Sequence, residues 1–183
     1  MTDLRSMQGY DFGHGAELKQ QEEARKRQAE QYRELNGKPV LAREYAALEQ
    51  VCAQFGITVS DAEEWKKNYN VGLFYKIEDL HLTEIRITCI EIKTPYKRLK
   101  IPRGLTQLRV LVSNDNQLTA LEIPRELDQL QRLGCNYNPN LSWLSVPYNN
   151  RLKIECYNTI LPAELKEDLR KHGVRVMGNK KYP

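Results

Sequence analysis

A tandem repeat in the middle of the chain restricts its fold more than any other feature of the sequence. Residues 101–122 (IPRGLTQLRVLVSNDNQLTALE) and residues 123–145 (IPRELDQLQRLGCNYNPNLSWLS) share the pattern I-P-R-x-L-x-Q-L-x-x-L, followed by an Asn five residues later. A unit of this length cannot bury its apolar side alone, whereas stacked copies share one continuous core. The repeat therefore predicts a solenoid.

Two weaker copies flank this pair. One begins at Val146-Pro147, and an earlier one lies in the segment EIRITCIEIKTPYKRLK. We expect one aliphatic residue of each copy to lie in a common interior column: Ile87, Leu111, Leu133 and Ile154. The residues two positions later are small: Cys89, Ser113, Cys135 and Cys156. These cysteines are therefore predicted to be buried, reduced and stacked.

Each copy also suggests how its coil turns. The stretch L-x-x-L-x-(C/S)-x-x-N predicts a short strand with inward Leu and Cys or Ser, ended by Asn116 or Asn138. An Asn side-chain amide can hydrogen-bond a bent backbone that no strand partner satisfies. The fourth copy has Thr159 in the Asn position, and we expect Pro124 and Pro147 to lie on the return segment.

These residues resemble the leucine-rich repeat family, and the short period with a recurring I/V-P is most similar to the repeats of bacterial effector proteins. The resemblance covers residues 80–162. It implies an α/β solenoid of about four coils with parallel strands, whose concave face binds a partner. It also implies a bacterial cytoplasmic protein, or one delivered to a host cell without a standard signal peptide.

The segments outside the repeats are predicted to be caps and tails. We expect a disordered N-terminus at 1–16, a helical N-terminal region at 17–79, and a helix cap with a tail at 163–183. Within them, helices are predicted over 17–35, over 40–55 ending at Gly56, from Ser60 with a capping box to Glu63, and from Pro162 to Gly173. The first has only a thin apolar stripe, so it is expected either to be mostly solvated or to pack on a partner, and self-association is one such arrangement.

No catalytic or metal-binding pattern is present. The sequence lacks G-x-x-x-x-G-K-[ST], G-x-S-x-G, H-E-x-x-H and C-x-x-C, and its three His residues are far apart. We therefore predict a protein that is not an enzyme, with no catalytic residues, no metal and no cofactor. No apolar run reaches the length of a membrane span, about 18 residues, and the N-terminus lacks a signal-peptide core.

The residues that flank the inward Leu of each strand are the candidate contacts for a partner protein. Tyr, Arg and Asn recur among them, a composition typical of protein interfaces. The predicted partner-binding residues are Arg86, Val112, Asn114, Asp115, Arg132, Asn136, Tyr137, Lys153, Glu155 and Tyr157.

Nucleic-acid binding is the alternative function. Residues 81–183 contain 17 basic and 10 acidic side chains, and such an excess attracts polyanions. A basic patch is predicted at Lys93, Lys97, Arg98, Lys100 and Arg103. Residues 47–68 also resemble a helix-turn-helix, with Cys52, Gly56 and Trp65 at suitable positions, although three carboxylates at 61–64 would repel DNA from its second helix.

Overall fold

The structure is a computed structural model of the chain, and it describes residues 17–24, 31–64, 72–88 and 97–178. The strands are β1 (Tyr32–Leu35), β2 (Lys38–Leu41), β3 (Glu63–Glu64), β4 (Gly72–Glu78), β5 (His81–Thr88), β6 (Arg98–Lys100), β7 (Val110–Asn114), β8 (Ala120–Glu122), β9 (Arg132–Gly134), β10 (Trp143–Ser145), β11 (Lys153–Glu155) and β12 (Arg175–Met177). The helices are residues 17–24, α1 (Ala42–Phe55), α2 (Ala163–Lys171) and a 3-10 turn at Val59–Asp61. None of the helices in these ranges is long and apolar enough to cross a membrane.

The repeats build two sheets whose strands are parallel. The main sheet has seven strands in the order β12-β11-β9-β7-β5-β4-β3, and every pair from β5 to β12 is parallel. The return sheet has the order β10-β8-β6 and is also parallel. Since consecutive parallel strands need a crossover, each coil runs from the main sheet to the return sheet and back. The predicted solenoid is confirmed, with about four turns.

The interior of the solenoid consists of aliphatic columns. In the main sheet, register places one residue from each strand in line: Ile85, Leu111, Leu133, Ile154 and Val176. In the return sheet, the aligned residues are Leu99, Leu121 and Leu144. Apart from the partly buried Val176, all of these are buried. Stacking buries a core that no single coil could form.

Asparagine side chains close the coils as predicted. Asn138 is fully buried, and its Oδ1 accepts hydrogen bonds from the backbone N–H groups of Asn116 (3.2 Å) and Leu118 (2.9 Å). Its Nδ2 donates to the carbonyl oxygen of Ser113 at 2.8 Å. Asn116 donates in turn to the carbonyl oxygen of Ile87 at 2.7 Å. Each Asn therefore ties its own turn to the preceding coil.

The small residues two positions after the aliphatic column, Cys135 and Cys156, form hydrogen bonds as well as fitting the narrow interior. Cys135 and Cys156 are buried, and each thiol lies 3.4 Å from a carbonyl oxygen of the next coil, that of Glu155 or Met177. Burial raises the pKa of both thiols, so they stay protonated and can donate. The predicted buried cysteine column is confirmed for these two, whereas Cys89 lies outside the described residues.

The predicted position of Ile87 is wrong. The backbone register pairs Leu111 with Ile85, and Ile87 lies opposite Ser113. Ile85 and Ile87 are both fully buried, because residues two apart on a strand point to the same face. A hydrophobic pattern with period two therefore fits either alignment equally well.

The N-terminal region is not uniformly helical. The predicted helix is wrong at its end, since Tyr32–Leu35 is a strand paired antiparallel with Lys38–Leu41. The two-residue turn is Asn36-Gly37, with φ of 49° and 78°, and Asn-Gly favours a hairpin because both positions need positive φ. Helix α1 is confirmed, and it ends at Gly56 in the left-handed conformation, with φ of 68°.

The helix predicted from Ser60 is also wrong in the residues described. Thr58 and Asp61 form a capping box around the 3-10 turn, after which Glu63–Glu64 pairs in parallel with β4 as strand β3. The second helix of the proposed helix-turn-helix is therefore absent at 63–64. Trp65 and the rest of that segment lie outside the described residues, as do the predicted disordered N-terminus at 1–16 and residues 179–183 of the predicted C-terminal tail.

The C-terminal cap contains one more strand than the sequence predicted. Helix α2 begins after Pro162 and is followed by Gly173, as expected. The chain then forms β12, which pairs in parallel with β11 at the end of the main sheet. Leu169 and Val174 join the buried core. The cap thus continues the repeat, with a helix in place of the return strand.

Candidate interaction surface

The side chains of the main sheet that point away from the core form its outward face. They fall into three rows across the strands. The start row contains Glu84, Val110, Arg132, Lys153 and Arg175. The middle row contains Arg86, Val112, Gly134, Glu155 and Met177. The end row contains Thr88, Asn114, Asn136 and Tyr157.

All ten predicted partner-binding residues lie on this face or at the corners directly after its strands. Eight belong to the three rows, and the corners contain the other two, Asp115 and Tyr137. The period of two along a strand accounts for this grouping, because residues on either side of an inward Leu must point outward. Binding by these residues stays a prediction.

Val112 contributes less to the surface than predicted. It lies in the middle row, but only 4% of its surface is exposed. Its neighbour in the row is Gly134, where an added Cβ would lie 3.4 Å from a Val112 methyl group. We therefore treat Val112 as part of the packing of the sheet.

Glu155 joins two basic side chains of the face. Its carboxylate oxygens lie 2.9 Å from Nη2 of Arg132 and 2.8 Å from Nζ of Lys153. Partial burial opposes ionisation of Glu155, but hydrogen bonds from Lys153 and Arg132 outweigh it and lower the pKa of the carboxyl. On β5, Arg86 and Glu84 form a similar ion pair. Ion pairs therefore orient the charged side chains in the middle of the face before any partner binds.

The end row has a structural role that the sequence analysis missed. Oδ1 of Asn114 accepts a hydrogen bond from the backbone N–H of Asn136 at 2.9 Å, and Oδ1 of Asn136 accepts one from the N–H of Tyr157 at 2.9 Å. These amides supplement the backbone hydrogen bonds that continue past the strands, from the N–H of Asp115 to Asn136 and from the N–H of Tyr137 to Tyr157. The repeated N-x-N in SNDN and CNYN is the sequence signal, since its two Asn residues serve different coils.

The corners after the strands adopt the left-handed conformation. Asp115, Tyr137 and Asn158 have φ of 57°, 56° and 55°, and they occupy equivalent positions in three coils. Asn and Asp tolerate this conformation, whereas Tyr does so at a cost of about 1 kcal/mol or more. Tyr137 is nevertheless 55% exposed. At the first of these corners, partial burial raises the pKa of the Asp115 carboxyl.

The start row and the surface beside it contain one basic residue each that the sequence analysis missed, Arg175 in the row and Arg151 next to it. Arg175 on β12 is in register with Lys153 on β11. Both residues line a shallow basin of about 470 Å³, which Arg151 also borders. The lining of this basin is Gln131, Arg132, Asn150, Arg151, Lys153 and Arg175. The alternation in V-R-V-M after Gly173 could have indicated the extra strand that places Arg175 there.

The predicted basic patch lies away from this face, and its described cations have intramolecular partners. Lys100 pairs with Glu122 at 3.2 Å, and Arg103 pairs with Glu126 at 3.4 Å. Lys97 donates a hydrogen bond to Gln117. The guanidinium of Arg98 lies 5.6 Å from the ring centroid of Trp143, and Ala120, the residue between them in register, is small. Lys93 lies outside the described residues.

A cleft of about 600 Å³ separates α1 from the I-P-R turns. Arg43, Gln50 and Gly104 lie along it, and the Lys100–Glu122 and Arg103–Glu126 ion pairs border it. Gly104 permits the close approach of α1, since an added Cβ would lie 3.0 Å from the carbonyl oxygen of Arg43. The cleft is therefore a helix–turn packing seam in which two of the four lining cations, Lys100 and Arg103, are paired with carboxylates.

The three cysteine thiols of the described residues are free and buried. Burial raises the pKa of Cys52 to about 11, and the other two described thiols have raised pKa values as well. A thiol of this kind is a poor nucleophile. Within the same residues, no three His, Cys, Asp or Glu side chains are grouped as metal ligands would be.

These features single out the outward face of the main sheet as the candidate site. No protein-family model, curated protein or solved structure matches the chain.

Proposed function

We propose that the chain is a non-enzymatic interaction module, a short α/β solenoid of the leucine-rich repeat type that docks a partner protein on its outward face. In that family, the main sheet lines the concave side, so the three rows would face the partner. The resemblance to effector repeats extends the proposal to a bacterial effector or adaptor, acting in the bacterial cytoplasm or in a host cell.

The main support is Tyr137. It is a large aromatic residue, 55% exposed, held in a left-handed conformation that favours Gly or Asn. Folding stability alone gives no reason for Tyr at this corner, because its ring is not buried and its backbone is strained. Exposed Tyr and Arg side chains are the usual energetic centres of protein interfaces, and Arg132 lies five residues earlier on the same face.

The hydrogen bonds and ion pairs of the described side chains also support the outward face as the docking site. Among the described residues, the buried Asn side chains hydrogen-bond the backbone and the return-sheet cations have partners. The outward face combines oriented ion pairs with amides at the end row. A pre-organised polar surface of this kind loses little side-chain entropy on binding.

The test is affinity purification with mass spectrometry. A variant with Tyr137→Ala and Arg132→Ala is compared with wild type and with a matched control away from that face, Trp143→Ala on the return sheet and Arg103→Ala in the turn after β6. We expect a partner that the wild type and the control retain and the outward-face variant loses. If the outward-face variant retains every partner of the wild type, the proposed docking face is wrong.

Nucleic-acid binding has weaker support. The described cations of the basic patch already pair with Glu122, Glu126, Gln117 or Trp143, so binding phosphates would break those contacts first. A low-salt gel shift tests it, since binding to phosphates is steeply salt-dependent. Retention of a DNA or RNA duplex that disappears with added salt would revive this function.

Self-association through the first helix is a further proposal. All of residues 17–24 are exposed, including Leu18 at 61%, and an apolar residue on a solvated helix suits a second helix better than water. Sedimentation of a chain that begins just before β1 tests it, because the cut leaves the β1–β2 hairpin intact. If the ratio of measured mass to monomer mass is the same for the shortened chain and the full chain, a helix-mediated dimer is excluded.

A further inference from the structure

We propose that the basin at the start row is an anion site that binds an acidic segment of the partner protein. The site consists of Arg132, Lys153 and Arg175 with Arg151 beside them. This inference rests on the proposed function in taking the occupant to be a protein. It adds the chemistry of that protein, which is a carboxylate-rich extended stretch.

Strand register brings the cations together. Arg132 pairs with Lys153, and Lys153 pairs with Arg175, on three adjacent parallel strands. Neighbouring strands lie about 4.8 Å apart, and residues in register point to the same face. The three basic side chains therefore form one line across the end of the sheet, although the first and the last are 43 positions apart in the sequence.

The positive charge of the basin is only partly compensated. Its lining contains four cations, two neutral amide side chains and no carboxylate. Glu155, in the adjacent middle row, pairs with Arg132 and Lys153. The guanidinium groups of Arg151 and Arg175 have no anionic partner among the described residues. The like charges of four neighbouring cations repel one another, and an external anion would relieve that repulsion.

The arrangement of the row favours a peptide over a nucleic acid. At its other end the start row contains Val110 and then Glu84, so the basic side chains cover only part of the row. A short acidic stretch can end before Glu84, whereas a polyphosphate that continued along the row would meet that carboxylate. The same strands end in amide and tyrosine side chains, at Asn136 and Tyr157. A protein segment can place carboxylates over the basin and hydrogen-bonding groups over the end row.

The experiment is a fluorescence-anisotropy titration of the full chain with a labelled peptide of alternating Glu and Gly. The variant Arg151→Glu with Arg175→Glu is compared with a matched control, Arg103→Glu with Arg125→Glu. The control makes the same change in net charge at the α1 cleft. The parallel probes are a single-stranded oligothymidylate and vesicles that contain an anionic phospholipid. Circular dichroism of both variants confirms that each remains folded.

We expect the wild type and the control to bind the peptide with similar affinity. The basin variant should bind it about tenfold more weakly or worse, since charge-assisted contacts are replaced by repulsion. Equal loss in both variants, or no binding by the wild type, overturns the inference. Tighter binding of the oligonucleotide or the vesicles through the same two residues also overturns it.

These outcomes are separable from those of the proposed function. If the peptide fails to bind but the Tyr137 and Arg132 variant loses a natural partner, the outward face docks a protein of different chemistry. If the peptide binds through the basin and that variant loses no partner, the docking face is wrong and the basin is an isolated anion site.

Discussion

The interior column and the start row are adjacent residues on the same strands, but they differ in how much they vary. From β5 to β12 the interior column is aliphatic throughout, running from Ile85 to Val176. One residue earlier on each strand, the start row changes from Glu84 to Arg175. Stacking requires only the interior to repeat. The outward face is free of that requirement, and its gradient from acidic to basic is where specificity can lie.

Among the tests of this contrast, the largest effect is expected for Asn138→Ala, which removes buried side-chain hydrogen bonds between neighbouring coils. The backbone N–H groups of Asn116 and Leu118 would lose their acceptor inside the molecule. We expect the free energy of unfolding to fall by about 3–5 kcal/mol, because each buried unsatisfied group costs about 1–3 kcal/mol. Denaturant unfolding measures the change. The exposed neighbour Asn140→Ala is the control and should change stability by less than about 0.5 kcal/mol. A loss below that of one hydrogen bond would show that the turn does not depend on Asn138.

Lys166 is an exception to the division between inside and outside. It lies on α2 with 4% of its surface exposed, and its Nζ has no hydrogen-bond partner among the described residues. We expect Lys166→Met to raise the free energy of unfolding by about 1–3 kcal/mol, because an apolar side chain avoids the desolvation of an unpaired amine. Thermal unfolding measures it, with the exposed Lys171→Met as control. Destabilisation by Lys166→Met would mean that the amine has a stabilising role at the cap.

Tyr137→Gly should separate stability from binding. Glycine adopts φ near 56° without steric cost, so we expect the free energy of unfolding to rise by about 0.5–1 kcal/mol, less than the full strain because glycine also favours the unfolded chain. The same variant should lose the partner identified for the outward face. Tyr157→Gly is the matched control, since Tyr157 is not among the left-handed residues, and it should lower stability. Loss of stability in both variants would argue that Tyr137 packs as a structural residue.

The smallest effect concerns the ion pairs of Glu155. The folded state lowers the pKa of this carboxyl through Lys153 and Arg132, against the opposing effect of burial. Its contribution to stability is therefore present above the unfolded-state pKa and is lost as the pH falls through the folded-state pKa. We expect Glu155→Gln to reduce the acid-limb pH dependence of unfolding by less than about 1 kcal/mol. Denaturant unfolding at several pH values measures this, and Glu164→Gln on α2 is the control. A steeper acid limb in Glu155→Gln would contradict the direction of the pKa shift.

Local patterns in the sequence predicted the parts of the fold that depend on neighbouring residues. Helix α1 with its left-handed Gly56, the buried Asn turns, the burial of Cys135 and Cys156, and helix α2 were all recognisable. The hairpin at Asn36-Gly37 was not predicted, because the charged stretch before it was interpreted as continuous helix, although Asn-Gly is a hairpin signal. Most of the candidate face was predicted for the same reason, because outward positions follow from the alternation along each strand.

The sequence by itself therefore determined the period, the interior column from Leu111 to Ile154 and the residues that turn each coil. Only the tertiary structure decided that Leu111 lies beside Ile85, because both Ile85 and Ile87 are inward and aliphatic. It alone also aligned Arg132, Lys153 and Arg175. Strand register depends on backbone hydrogen bonds between distant segments, and a pattern that repeats every two residues cannot specify which partner a strand will meet.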